Sequence, residues 1–349
     1  MQIAVVKDAI FLEHYPGDWH PERPERLEKI YERLDREDLA SLIKVLSPRE
    51  ATFEELAWNH APEYIKTIQQ TSGQDHVQLD PDTVTSPASY EAAIKAVGAQ
   101  FVGLEAIFNG QVNHVFALVR PPGHHAEYNR AMGFCLFNNV ALAAHYALKR
   151  LHCERVLIVD WDLHHGNGTQ WSFYEDPRVV YFSTHQFPYY PGTGRVEEIG
   201  RGEGTGYTVN VPLPAGCGDL EYATVFRKVL VPVVKTFKPQ IILVSAGFDL
   251  YFGDPLGGMS VTPVGVAYLM RIIKELAQEV CENRILLTLE GGYSLQGLVD
   301  CTAAVLLELA GRSIIHLDRL QELNTQDAPL EVLGKIKAVL EKFWPGIAS

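Results

Sequence analysis

Short, continuously apolar runs rich in β-branched residues recur along this chain, and they restrict its fold more than any other feature. They are Ala4–Val6, Val115–Val119, Val156–Asp160, Val179–Ser183, Tyr207–Val211, Ile241–Ser245 and Ile285–Leu289. A strand with one wet face alternates apolar and polar residues, whereas these runs have no polar face and therefore expect cover on both sides. Between them lie stretches with helical periodicity, such as Tyr90–Phe108, Asn139–Leu151 and Pro263–Cys281. Strands alternating with helices predict an α/β fold with a mostly parallel sheet and helices on both faces. With 349 residues, 47% of them hydrophobic, the chain can bury such a core. No repeat, low-complexity tract or Gly/Ser linker divides it, so one domain over residues 1–349 is expected. In the tail, Leu330, Leu333, Ile336, Leu340 and Phe343 form a helical stripe within Pro329–Phe343, read as core packing.

Charge and cysteine content exclude several functions. Acidic residues outnumber basic ones 43 to 30, for a formal net charge of −13. Such a surface repels phosphate backbones and anionic bilayers, so neither nucleic acid nor membrane is an expected partner. The apolar runs are strand-sized, far short of the ~20 residues of a membrane helix. Met1–Val6 leads directly into the charged Lys7–Glu13, leaving no apolar stretch for a signal peptide. Cys135, Cys153, Cys217, Cys281 and Cys301 are scattered and odd in number, which reads as buried, reduced thiols of a cytoplasmic protein.

In a wound parallel sheet, ligands gather beyond the carboxyl ends of the strands. The residues there are Arg120-Pro121-Pro122-Gly123-His124-His125-Ala126, Asp160-Trp161-Asp162-Leu163-His164-His165-Gly166-Asn167-Gly168, Ala246-Gly247-Phe248-Asp249 and Glu290-Gly291-Gly292-Tyr293. Four strand ends thus carry His, Asp or Tyr beside glycines. Asp160, Asp162 and His164 sit at i, i+2 and i+4, and an extended chain would point all three one way. Asp162, His164 and Asp249 together offer a mixed N/O ligand set whose remaining positions stay open for water and a carbonyl, the pattern of a catalytic zinc site. Ferrous iron and cobalt suit the same ligand types. Taken singly, each has a plain alternative, since an Asp after a strand is usually a cap or turn residue.

His124 and His125 follow a rigid Pro-Pro-Gly turn. An isolated pair of this kind is most often structural. Beside a metal-bound water, though, a histidine can accept a proton and later return it to a leaving amine. Asp160 and Asn167 are available to fix the two tautomers. Tyr293, made approachable by Gly291 and Gly292, can donate to an oxyanion.

With Thr169-Gln170 added, these four segments resemble the zinc-dependent histone deacetylase family. The Asp160–Gln170 form is similar to its class II branch and to bacterial deacetylase-like amidohydrolases. The resemblance runs from His20-Pro21-Glu22-Arg23-Pro24-Glu25-Arg26 through Gly133-Phe134-Cys135 to Tyr293 and beyond. It implies the arginase–deacetylase fold, with a central parallel sheet of about eight strands between helix layers. It also implies one Zn2+ on Asp162, His164 and Asp249, a catalytic Tyr293, and tandem histidines His124 and His125 partnered by Asp160 and Asn167. A structural K+ would use the side chains of Asp160, Asp162 and Ser183 with the carbonyls of His164 and Thr184. Gly133, Phe134, Tyr190 and Leu256 would border an acyl-lysine tunnel, with tyrosine at 190 where the family usually has phenylalanine. Arg26 would lie by an inner acetate channel.

The implied activity is removal of acetyl or other acyl groups from lysine ε-amines of peptides or proteins. Acetylpolyamine amidohydrolases share fold and motifs, but Leu256 stands where polyamine-selective relatives tend to carry an acidic gatekeeper. Arginase-type chemistry needs two manganese ions and strand ends richer in carboxylates. A silent acyl-lysine-binding module would have lost a ligand, a histidine or the tyrosine, and all are present here. The segment Thr71–Pro87 is expected to shape either the pocket rim or an interface.

Overall fold

The computed structural model describes residues 3–349. Its strands are β1 (Ile3–Val6), β2 (Ile43–Leu46), β3 (Val77–Asp80), β4 (Thr83–Thr85), β5 (His114–Ala117), β6 (Val156–Asp160), β7 (Val179–Gln186), β8 (Thr208–Leu213), β9 (Ile241–Ala246) and β10 (Ile285–Leu289). Eight of them form one sheet in the order β2-β1-β5-β10-β9-β6-β7-β8, and every pairing in it is parallel. This is the α/β architecture of the arginase–deacetylase type. Strands β1, β5, β6, β7, β9 and β10 are buried at every residue, so helices cover both faces and continuous apolar runs are the right code for them. Removing one such side chain, Leu243→Ala for instance, costs about 2–5 kcal/mol through lost burial and a residual cavity.

Sequence periodicity does not find β2. It lies at the sheet edge with its central residues exposed, so it has no continuous apolar run to betray it. Helix Ser89–Phe108 packs on β5 and against helix Asn139–Lys149, while Pro263–Val280 packs against Leu295–Leu309. The tail forms helix Glu331–Leu340 on β8, shorter than its apolar stripe, with Ile336 and Leu340 in the core. Among the described residues, no helix is long and apolar enough to cross a membrane.

Because all eight strands run one way, β5, β6, β9 and β10 deliver their carboxyl-end segments to the same edge of the sheet. The Thr71–Pro87 segment contains the small antiparallel sheet of β3 and β4. It reaches that same edge, where Asp82 accepts from the Gly133 amide at 2.9 Å and the Thr83 hydroxyl accepts from the Phe134 amide at 3.1 Å.

Candidate active site

The histidine turn begins with a fully buried arginine. Arg120 pairs with both carboxylate oxygens of Glu22 and donates to the Phe11 carbonyl at 2.7 Å. Glu22 also receives Arg26 at 2.9 Å and lies 3.3 Å from His14. Burial opposes charge on Glu22, but the arginines and His14 hold its carboxyl well below the usual range. A buried charge persists only when paired in this way.

Two carboxylate contacts then define the histidines. His124 Nδ1 lies 3.1 Å from Asp160 Oδ2, which also accepts the Tyr181 hydroxyl at 2.9 Å. Burial works against a charged His124, yet the carboxylates of Asp162, Asp160 and Glu290 outweigh it and push its pKa up to about 10. His125 Nδ1 lies 2.8 Å from Asn167 Oδ1. The Asn167 amide nitrogen donates to Glu127 at 2.7 Å, so its oxygen must face the ring. His125 therefore carries its proton on Nδ1 and presents a bare Nε2. Burial, with the positive charge of His124 and His164, pushes its pKa well below 6.5. One imidazole is held charged, and its neighbour, 4.0 Å away between ring centroids, is held as a neutral base.

Gly133 makes room for that base. Its φ is +58°, and a Cβ there would run into the His125 ring. The next residue, Phe134, also takes a left-handed φ of 68°, a strained choice for a bulky residue that the Thr83 contact to its amide helps to hold.

Asp162, His164 and Asp249 bring one ligand atom each within 4.8 Å of one another, all buried. His164 Nδ1 is 3.2 Å from Asp162 Oδ1 and 3.0 Å from Asp249 Oδ2. The remaining carboxylate oxygens are fixed by backbone amides, Asp162 Oδ2 by Gly291 at 2.8 Å and Asp249 Oδ1 by Leu163 at 2.8 Å. Burial raises Asp249 to about 7, reinforced by the Asp162 charge. His164 is pushed up to about 9 because its two carboxylate partners overcome burial. The donor set thus draws a proton onto His164 to balance its own negative charge, which is the demand a divalent cation meets. Close approach also explains Gly291, where any Cβ would collide with the Asp249 and Asp162 carboxylates.

Asp160 does not join this cluster as its i, i+2, i+4 spacing suggested. β6 ends at Asp160 and the backbone bends over the following residues, so the extended geometry stops there. Its carboxylate turns to His124 and Tyr181, and Oδ1 accepts the Asp162 amide at 3.1 Å. Its neighbour across the sheet is Ser183, whose hydroxyl contacts His185 at 2.9 Å. The buried Thr184 hydroxyl has no hydrogen-bond partner among the described residues.

Tyr293 completes the group. Burial pushes its phenol well above the ordinary range, so it stays protonated and able to donate. The Arg26 guanidinium sits 5.1 Å from its ring and Phe134 packs edge-on at 5.9 Å. Opposite, the Tyr190 ring meets His125 at 5.2 Å and His164 at 6.1 Å. Leu256 lies on the loop after β9, with its carbonyl accepting the Tyr189 hydroxyl at 3.1 Å. Arg26 spends its donors on Glu22, the Gly292 carbonyl at 2.6 Å and the Glu290 carbonyl at 2.5 Å.

Sequence reasoning missed Glu127, Asp82, Asp254 and Tyr189. Asp254 Oδ2 accepts the amides of Tyr293 at 2.7 Å and Ser294 at 2.9 Å, and Tyr189 stacks on His164 at 5.7 Å. None carries a local signal, since each is an ordinary acidic or aromatic loop residue until the fold brings it in.

A profile described as the histone deacetylase domain matches residues 20–309. The chain is 40% identical to a "Probable deacetylase" of Archaeoglobus fulgidus, with 99% of each covered. It is 36% identical to histone deacetylase HDA1 of Candida albicans, covering 95% of this chain but 42% of that protein. It therefore spans less than half of that relative, and about half of histone deacetylases 5 and 18 of Arabidopsis thaliana. The crystal structure of the HDA15 HD domain superposes with a TM-score of 0.89 at 37% identity, covering 99% of this chain and 95% of that one.

Proposed function

This chain belongs to the histone deacetylase family, and from that membership we propose a single zinc-dependent catalytic domain, residues 1–349, that removes acyl groups from lysine ε-amines. The observation that carries the reading is the convergence of the Asp162–His164–Asp249 cluster with His125, oriented by Asn167, and with Tyr293 at one sheet edge.

A zinc ion held by Asp162, His164 and Asp249 would polarise the amide carbonyl and lower the pKa of a water toward ~7. His125 Nε2 takes the proton of the attacking water, since Asn167 keeps the other ring nitrogen protonated. Tyr293 donates its hydroxyl to the developing oxyanion. His124, charged against Asp160, stabilises that negative charge electrostatically. His125, now protonated, gives its proton to the departing amine, and acetate or another carboxylate leaves past Arg26. Phe134 and Tyr190 supply the aromatic walls for the lysine stem, with Gly133 and Leu256 at the border. A K+ ion bound by Asp160, Asp162, Ser183 and the His164 and Thr184 carbonyls fits the cross-strand pairing of Asp160 with Ser183. The five cysteines are buried and unpaired, which suits a reducing, cytoplasmic setting.

Acyl-lysine is favoured over acylpolyamine because Leu256 offers hydrocarbon, and no second anion, to an incoming ammonium. The test is hydrolysis of a fluorogenic acetyl-lysine peptide and of acetylputrescine, each with and without a zinc chelator. Chelator-sensitive turnover with higher kcat/KM on the peptide supports the proposal. Preference for acetylputrescine moves it to the polyamine reading, and chelator-insensitive or absent turnover on both overturns it.

A further inference from the structure

The histidines and Tyr293 arrive on different strands, β5 and β10, and must keep a fixed spacing to act on one amide. One buried side chain spans the two turns. Glu290 is fully buried at the carboxyl end of β10, three residues before Tyr293. Its Oε2 accepts the Gly123 amide at 2.7 Å and the His124 amide at 3.2 Å, and its Oε1 accepts the Ser245 hydroxyl at 3.0 Å.

Glu290 is also the first residue of the tyrosine turn, and that turn is held throughout. The Glu290 amide donates to Ala246 at 3.2 Å, and Arg26 takes the Glu290 and Gly292 carbonyls. Asp162 takes the Gly291 amide, the Gly291 carbonyl accepts from Phe248 at 3.0 Å, and Asp254 takes the Tyr293 and Ser294 amides. A turn restrained at so many points passes its position to whatever Glu290 grips.

We propose that Glu290 is a positioning residue that sets the His124–His125 turn relative to Tyr293, acting by its reach to the Gly123 and His124 amides more than by its charge. The proposal rests on the hydrolase reading for its kinetic readout, but amide exchange judges it independently.

The test crosses reach against charge. Glu290→Gln keeps the acceptor at the same reach and removes the charge, whereas Glu290→Asp keeps the charge and shortens the arm by one methylene. The expected result is kcat within about fivefold of wild type for Glu290→Gln. For Glu290→Asp, kcat should fall about 10²-fold, as a 1 Å misplacement can cause, with KM within about threefold and bound zinc unchanged. Hydrogen exchange at the Gly123 and His124 amides should accelerate in Glu290→Asp and stay slow in Glu290→Gln. Damage to Glu290→Gln with Glu290→Asp spared would assign the role to charge, equal damage from both would mean that reach alone does not set the turn, and wild-type kinetics and exchange in Glu290→Asp would remove the role altogether; each overturns the proposal. If wild type hydrolyses neither acyl-lysine nor acylpolyamine, the functional reading fails while the exchange data still decide on Glu290.

Discussion

His125 and Asn167 are locked in a single relationship: the ring Nδ1–H donates to the amide oxygen at 2.8 Å because Glu127 claims the amide nitrogen. The asparagine works as an orienter without charge, which leaves the imidazole free to stay neutral. A carboxylate in its place would hold a proton on the ring.

Activity should therefore extend to acidic pH, with the acid limb of kcat/KM below 6.5, the ordinary histidine value, since burial and the neighbouring positive charges depress His125. A bound cation pushes the same way. Asn167→Asp should move that limb upward, because an added anion favours the imidazolium. A pH–rate profile of both proteins checks this, and a limb that stays put in the variant contradicts it. His125→Ala should lose about 10²–10⁴-fold in kcat.

Replacing Tyr293 by Phe removes the phenolic donor and little else, since no hydrogen bond of the hydroxyl supports the fold among the described residues. The expected loss is about 10²–10³-fold in kcat with a smaller change in KM. Steady-state kinetics on an acetyl-lysine peptide decide it; a loss confined to KM would mean that the hydroxyl binds ground state and transition state alike.

Zinc should raise Tm, because an ion bound only by the native state stabilises it by mass action, about 2.7 kcal/mol at a hundredfold excess over Kd. In Asp249→Ala one of the three proposed ligands is gone, and both the zinc-dependent Tm shift and the stoichiometric zinc in elemental analysis should vanish. An equal shift in the variant would place the ion elsewhere.

Acid should destabilise the fold before most carboxylates titrate. His60, His114, His145 and His185 are each pushed down to about 4, chiefly by burial. His60 shows why: Nδ1 faces the Glu127 carbonyl at 2.9 Å while Nε2 accepts the Asn138 amide at 3.0 Å, so a second ring proton breaks the latter bond. Below about 6.5 the unfolded chain binds protons that the native state refuses, so these groups' stabilisation is complete above that pH and drains away as pH falls toward 4. Each contributes a slope of at most ~1.4 kcal/mol per pH unit. Urea midpoints at pH 7, 6 and 5 should fall in that order, and a flat series would refute the assignment.

Much of this was legible in the residue order because both of its physical codes are strong. A strand such as β9, buried on both sides, must be apolar throughout, and the residues following it must turn polar where ligands bind. Asp162, His164, Asp249, the two histidines and Tyr293 could thus be named from spacing and resemblance. What escaped was whatever depends on distant segments meeting. Edge strand β2 has exposed central residues, and Asp160, expected to point the same way as Asp162 and His164, is turned aside to His124 by the bend after β6. Glu127, Asp82 and Asp254 act from loops on groups far along the chain, by contacts that no local pattern encodes.

The uniform strand direction has a practical side. Loops 109–113, 150–155 and 281–284 feed the amino-terminal ends of β5, β6 and β10, at the far side of the sheet from the histidines and Tyr293. On the mechanism proposed above, that side takes no part in catalysis. An affinity tag, a fluorophore or a whole guest protein grafted there would ride along without disturbing turnover, whereas the same graft at the opposite rim would block the substrate's way in.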